Sequence, residues 1–210
     1  MSVRARRVPP IPSPGFADQT RDSQKAFRAI LDALAHPTRV YPLAGPSEPP
    51  VILGPGLAAV ALTVLDEECS VWLGGELGED AEVAAWLAFH TGVRVVTDPA
   101  EADFIFTEPA AQPPYAMLRN GSEEAPHHSA TVVLDIRGLN GCLRFRAHGP
   151  GIDGATDLDA VWADGGFGTE WDRNSANFPR GVDLLIVGED TIAALPRTTR
   201  LTPTDSKKGA

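Results

Sequence analysis

Arg197, Thr198, Thr199 and Arg200 set two guanidinium groups and two hydroxyls side by side, just after an apolar run, Ile192 to Leu195, that stops at Pro196. Such a group of donors suits phosphate or carboxylate oxygens, because the planar guanidinium fork matches their geometry. A structural role stands beside that one, in which Arg197 pairs with Asp183 and the hydroxyls cap the strand end. Side chains alternate along a strand, so four neighbours need not face one site. Arg180 precedes a second apolar run, Val182 to Val187, which Asp183 interrupts. A carboxylate inside such a run is costly unless it is paired, so Arg180 and Asp183 are either anion-site groups or members of a buried ion pair. His148 opens the sequence His148-Gly149-Pro150-Gly151, whose backbone N–H groups could surround an anion with His148 as a base. Pro150 removes one donor, and an ordinary turn explains the same residues.

The remaining polar candidates are weaker. His90 falls on the apolar line of a helix near its C-terminus, where the helix dipole favours a packed, charged imidazole. His127 and His128 lie close to Glu123 and Glu124, but their spacing specifies no metal site. Trp72, Trp86, Trp162 and Trp171 could stack a purine, although core or subunit-interface packing is the commoner use of tryptophan. Asp22, Gln24 and Arg28 could serve a ligand or decorate and cap the first helix.

The totals exclude several function classes. The formal net charge of −10 argues against nucleic-acid binding through a basic surface. No apolar stretch approaches the length of a membrane span, and Arg4, Arg6 and Arg7 lead into prolines instead of a secretory apolar core, so a cytoplasmic protein is expected. Lysine occurs at Lys25, Lys207 and Lys208 alone, which leaves the body of the chain without a Schiff-base residue for pyridoxal phosphate. The two cysteines, Cys69 and Cys142, are too few for an iron–sulfur cluster and read as reduced core thiols. No cofactor and no metal is expected.

The elements that must position these residues follow from the pattern. Residues 1–17, rich in proline and arginine, read as an extended arm; residues 18–201 as one α/β domain; residues 202–210 as a flexible polar tail. A helix capped by Asp22 or Ser23 runs to Ala35, with Phe27, Ile30, Leu31 and Leu34 spaced to share a buried face. Pro37 ends it, and Arg39 to Leu43 suits a strand. An apolar helix spans Leu57 to Leu65, and Asp80 caps another that ends at Gly92. Strands are expected at Ser70 to Leu73, Val93 to Val96, Phe104 to Phe106, Thr131 to Ile136 and Leu143 to Ala147. Glu108 to Ser129 reads as a long loop, and Leu158 to Trp162 and Phe167 to Ala176 as helices. Val182 to Val187 and Ile192 to Leu195 form a buried pair of strands around the Glu189-Asp190 turn. Helices alternating with strands, some of which follow one another directly, imply an α/β fold with a mixed sheet.

In chain order, DSQKAFRAILDALAHP, SVWL, FHTG, HGPGI, FPRGVD and LPRTTR form a set that resembles the PhnH subunit family of the bacterial carbon–phosphorus lyase system. The resemblance extends from about Phe16 to Leu201, and Thr38 departs from it where the family usually has glycine. It implies a three-layer αβα fold with a mixed sheet, similar to pyridoxal-phosphate-dependent transferases but without the cofactor. It implies a homodimer in isolation and a core complex with the PhnG, PhnI and PhnJ subunits. That system joins an alkylphosphonate to the ribose of ATP, displacing adenine and forming ribose 1-alkylphosphonate 5-triphosphate; a separate radical subunit later cleaves the C–P bond. The expected role is an assisting subunit of this transferase complex, not catalytic alone. The rival is a nucleotide- or phosphonate-ester-binding subunit whose anion ligands are Arg197, Thr198, Thr199, Arg200, Arg180 and His148. A stand-alone transferase is disfavoured by the missing lysine.

Overall fold

The computed structural model describes residues 12–204, apart from Cys142. The first half of the chain carries α1 (Gln19–Ala35), β1 (Tyr41–Pro42), α2 (Gly54–Val64), β2 (Ser70–Leu73), α3 (Gly75–Glu79), α4 (Ala81–Thr91), β3 (Arg94–Val95) and β4 (Phe104–Thr107). The second half carries β5 (Thr131–Asp135), β6 (Leu143–His148), β7 (Thr156–Ala160), α5 (Phe167–Ala176), β8 (Asp183–Val187), β9 (Thr191–Leu195) and β10 (Arg200–Pro203). Between β4 and β5, the long loop contains three single 3₁₀ turns at Pro109–Ala111, Tyr115–Met117 and Pro126–His128.

Seven strands form the central sheet in the order β1-β9-β8-β5-β4-β2-β3. The run β8-β5-β4-β2-β3 is parallel, while β9 is antiparallel to both β8 and β1, so the sheet is mixed. Its strands are apolar on both faces, and the two-residue period divides them between two cores. Phe106, Val133, Leu185, Val187, Ile192 and Ala194 point into one core. Ile105, Val132, Leu134, Leu184, Ile186, Ala193 and Leu195 point into the other. Residues of α1, α2 and α4 close the first core. The second is closed by α5 together with a three-stranded antiparallel sheet, β10-β6-β7, through Trp171, Phe145, Leu158 and Leu201. One outer layer is therefore helical, and the other is helix plus sheet, which differs from an outer layer of helices alone.

Several expectations shift for physical reasons. The Leu158 to Trp162 stretch is not a helix, since Leu158 and Ala160 alternate inward against the exposed Asp157 and Asp159 of β7. Thr202 and Pro203 belong to β10, so the ordered chain continues past residue 201. The first helix begins earlier than expected, where the Asp18 carboxylate accepts the Arg21 N–H at 3.0 Å. Its buried face is also rotated: Ala26, Ile30 and Ala33 are buried, while Phe27 and Leu31 remain about half exposed at 50% and 49%. The helix lies against the mostly apolar, alanine-rich α2, and close approach of two helices selects small side chains at the contact. The α4 expectations hold, with Asp80 capping the start and Gly92 in the left-handed conformation at the end.

The chain leaves α1 through Thr38, whose φ of +72° is a left-handed conformation that lets its N–H donate to the Ala194 carbonyl of β9 at 3.0 Å. A side chain there costs about 1–2 kcal/mol, whereas glycine gives back about 0.5–1 kcal/mol in unfolded-state entropy. Thr38→Gly is therefore expected to raise the unfolding free energy by about 1 kcal/mol in urea titration, and a loss of stability would contradict the strain.

Candidate functional site

The strand pair β8–β9 delivers Arg197 to a fixed place. Pro196 ends β9, and the Arg197 backbone N–H donates to Asp183 Oδ1 at 2.7 Å. Its Nε donates to the same oxygen at 3.1 Å, and Nη2 donates to Asp183 Oδ2 and to Ser129 Oγ. Nη1 donates to the carbonyls of Pro126 at 3.2 Å and Pro179 at 3.3 Å. A guanidinium has five N–H donors, and five protein acceptors surround this one. Only 12% of the Arg197 side chain remains exposed. Arg197 is thus a tie between the start of β8, the end of β9, the 126–129 turn and the 178–181 turn, with no donor left for an external anion.

Thr199 is held through its backbone, and its buried hydroxyl has no hydrogen-bond partner. It is fully buried, and its carbonyl accepts from Trp171 Nε1 at 2.9 Å and Ser175 Oγ at 3.2 Å, anchoring α5 to the turn before β10. The His148-Gly149-Pro150-Gly151 segment packs on the same turn. A Cβ at Gly149 would stand 2.9 Å from the Thr198 carbonyl oxygen, and one at Gly151 would stand 2.2 Å from the Ala35 carbonyl at the end of α1. Glycine is required at both because backbone meets backbone there. The end of α1, the glycine turn, the 178–183 segment and the 196–200 segment therefore converge, held by Arg197, Thr199 and the two glycines.

Two of the proposed anion ligands stay available and adjacent. In the β10–β6 register Arg200 is opposite His148, and both are exposed. The same outer face carries two cross-strand ion pairs, Arg144–Asp159 and Arg146–Asp157, each at 2.8 Å. The ladder is charge-balanced until its last position, where a histidine and an arginine meet with no carboxylate partner among the described residues. Thr198 is half-buried beside them in sequence, whereas Arg180 is exposed on the 178–181 turn, which Arg197 holds separately.

The other candidates are structural. His90 Nε2 and Trp86 Nε1 both meet the Ser13 carbonyl at 2.9 Å, so they tie down the segment before α1. Trp86 and Trp171 are fully buried. His127 and His128 form a ring pair 4.3 Å apart on an exposed edge of the long loop, and no group of three potential metal ligands occurs among the described residues. Cys69 is a free thiol whose pKa burial pushes up, which makes it a poor nucleophile. Lys25 is ion-paired to Asp22 on the surface of α1.

The polar use of α5 is not foreseen in the sequence pattern. Asn174 is buried and braces Val182 twice, accepting its N–H at 2.8 Å and donating to its carbonyl at 2.9 Å. Glu170 accepts the Tyr115 N–H at 2.7 Å, pinning the long loop to the helix. The available signal is that Trp171, Asn174 and Ser175 follow i, i+3, i+4 spacing, so the apolar face of this helix runs on through polar residues.

Residues 14–202 match the family described as bacterial phosphonate metabolism protein (PhnH). The chain belongs to the PhnH family. It is 35% identical over 190 residues to the alpha-D-ribose 1-methylphosphonate 5-triphosphate synthase subunit PhnH of Rhizobium meliloti (strain 1021), covering 90% of this chain and 94% of the relative. It is also 31% identical over 185 residues to a protein of Stutzerimonas stutzeri provisionally named as C-P lyase subunit protein HtxG, covering 87% of each. Within this PhnH chain, the FPRGVD and LPRTTR segments meet through the Arg197–Asp183 pair.

Removing Arg197 leaves Asp183 largely buried without its partner, which for buried pairs costs about 3–5 kcal/mol. Arg197→Ala is expected to lower the unfolding free energy by about 3 kcal/mol in urea titration. Unchanged stability would show that the contacts around Arg197 do not hold the segments together.

Proposed function

We propose that this chain is an assisting subunit of the complex that forms ribose 1-alkylphosphonate 5-triphosphate from ATP and an alkylphosphonate in phosphonate catabolism. The observation that carries this reading is the match to PhnH proteins along residues 14–202, one relative being named as a subunit of that synthase. The geometry supports an assisting role over a catalytic one. Arg197, Asp183 and the glycines of the 148–151 turn are spent on joining elements. The partners proposed are the PhnG, PhnI and PhnJ subunits, with a homodimer in isolation and a cytoplasmic location. No helix among the described residues is long and apolar enough to cross a membrane. The mixed seven-stranded sheet, covered on both faces, supports a likeness to pyridoxal-phosphate-dependent transferases.

A second reading is favoured by one specific observation, the unbalanced cationic end of the β6–β10 ladder. There His148 and Arg200, with Thr198 beside them in sequence, form an anion site for a phosphonate or nucleotide phosphate.

Two measurements check these readings. Co-expressed with the PhnG, PhnI and PhnJ subunits of its own source, the chain is expected to co-elute with them in size-exclusion chromatography, and elution as a separate species would sink the subunit reading. In calorimetry, His148→Gln with Arg200→Gln is expected to weaken ATP or ribose phosphonate binding at least about tenfold through loss of charge-assisted hydrogen bonds, without altering assembly. Binding equal to that of the unsubstituted chain would remove the anion site.

A further inference from the structure

Three cations of α1 form one line. Arg21, Lys25 and Arg28 follow i, i+4, i+7 spacing, and all three are exposed. The helix itself disfavours this arrangement. Arg21 stands in the first turn, where the helix dipole opposes a positive charge, and like charges three and four residues apart repel. Asp22 offsets part of this through its ion pair with Lys25 at 3.0 Å, and Asp18 lends Oδ1 to the Arg21 N–H. Neither Arg21 nor Arg28 has an ion-pair partner among the described residues, in a chain whose formal net charge is −10. Where a sequence breaks a local rule without a compensating contact, a functional site is expected.

The same three residues line a cleft of about 540 Å³ between α1 and β1. That volume lies within the range of about 300–1,000 Å³ typical of small-molecule sites. Ala26, Ala29 and Ala44 leave it room on its apolar walls. β1 is the outermost strand on this side of the sheet, and Pro42 has no N–H to offer, so a further strand is not the occupant. From Arg21 to Arg28 the line of cations spans about 10 Å of helix axis, at about 1.5 Å per residue. This length and charge suit several linked anionic groups better than one isolated phosphate. Guanidinium forks grip phosphate oxygens in pairs, and the Lys25 ammonium adds a compact charge between them. Asp32 is the carboxylate of the lining and lies one turn beyond Arg28. Its charge repels phosphate, which confines the anionic groups to the stretch from Arg21 to Arg28.

We propose that the cleft between α1 and β1 binds an oligophosphate group through Arg21, Lys25 and Arg28. The site is built on elements other than the His148–Arg200 end of the β6–β10 ladder. It belongs to this chain alone and stands whether or not the chain assembles with partners.

The test is calorimetry at one fixed low salt concentration, on the full chain carrying His148→Gln and Arg200→Gln, so that the ladder end contributes nothing. The probes are inorganic triphosphate, orthophosphate, ATP and AMP. Triphosphate is expected to bind at least about tenfold more tightly than orthophosphate, and adding Arg21→Gln with Arg28→Gln is expected to weaken it at least about tenfold. The melting temperature is expected not to fall on that addition, since the helix loses repelling charges. Two supporting outcomes separate the sources of the group. ATP bound like triphosphate, with AMP weak, makes it the phosphate chain of a nucleotide; triphosphate bound without ATP makes it a free oligophosphate. No triphosphate binding before the α1 substitutions, affinity unchanged after them, or orthophosphate bound as tightly as triphosphate would each overturn the proposal. Co-elution with the partner subunits, measured on the same chains, separates failure of this site from failure of the subunit reading.

Discussion

The ion pair between Arg197 and Asp183 closes the β8–β9 unit, and the same guanidinium joins that unit to the 126–129 turn. Asp183 sits at the first residue of β8, in the middle of a sheet whose neighbouring side chains are apolar on both faces. An ionised carboxylate there is tolerable only with a partner of matching shape, and arginine supplies two parallel N–H donors. Once Arg197 is placed, its remaining donors fix the carbonyls of Pro126 and Pro179 and the hydroxyl of Ser129. The end of the long loop and the entry to β8 are positioned by the same guanidinium that closes the β8–β9 unit.

Around that tie the fold is a sheet with two unlike coverings. The helical side is packed closely enough that α1 presents alanines, leaving Phe27 and Leu31 half exposed. The other side combines α5 with a small antiparallel sheet and keeps its buried polar groups. Asn174 and Ser175 there are satisfied by backbone.

Much of this was legible in the sequence where local pattern and tertiary context agree. Val182 to Val187 and Ile192 to Leu195 announce buried strands because nothing but a two-faced core accommodates such runs. Leu143, Phe145 and Ala147 alternate with charges and form β6 as expected. Asp80 and Gly92 bracket α4 through capping chemistry that is local by nature. The pairing of Arg197 with Asp183 was one of two open readings, and counting acceptors decides between them. Illegible features depend on neighbours distant in sequence. The rotation of the α1 face follows from how small α2 is, and β7 is a strand because β6 offers it arginines opposite Asp157 and Asp159. For the candidate site, the pairing of His148 with Arg200 requires the β10–β6 register, which no local pattern encodes.

The Arg197–Asp183 tie therefore describes how this domain is built more than what it transforms. The most direct test replaces the ion pair by apolar side chains of similar volume, since such exchanges of buried pairs are often neutral for stability. The measurement is synthase activity of the complex reconstituted from ATP, methylphosphonate, the partner subunits and the Arg197→Met, Asp183→Leu chain. A folded double variant is expected to retain the activity of the unsubstituted complex. A double variant with an undiminished melting temperature and intact assembly, but without synthase activity, would show that Arg197 or Asp183 takes part in the chemistry and would contradict the structural role assigned to them.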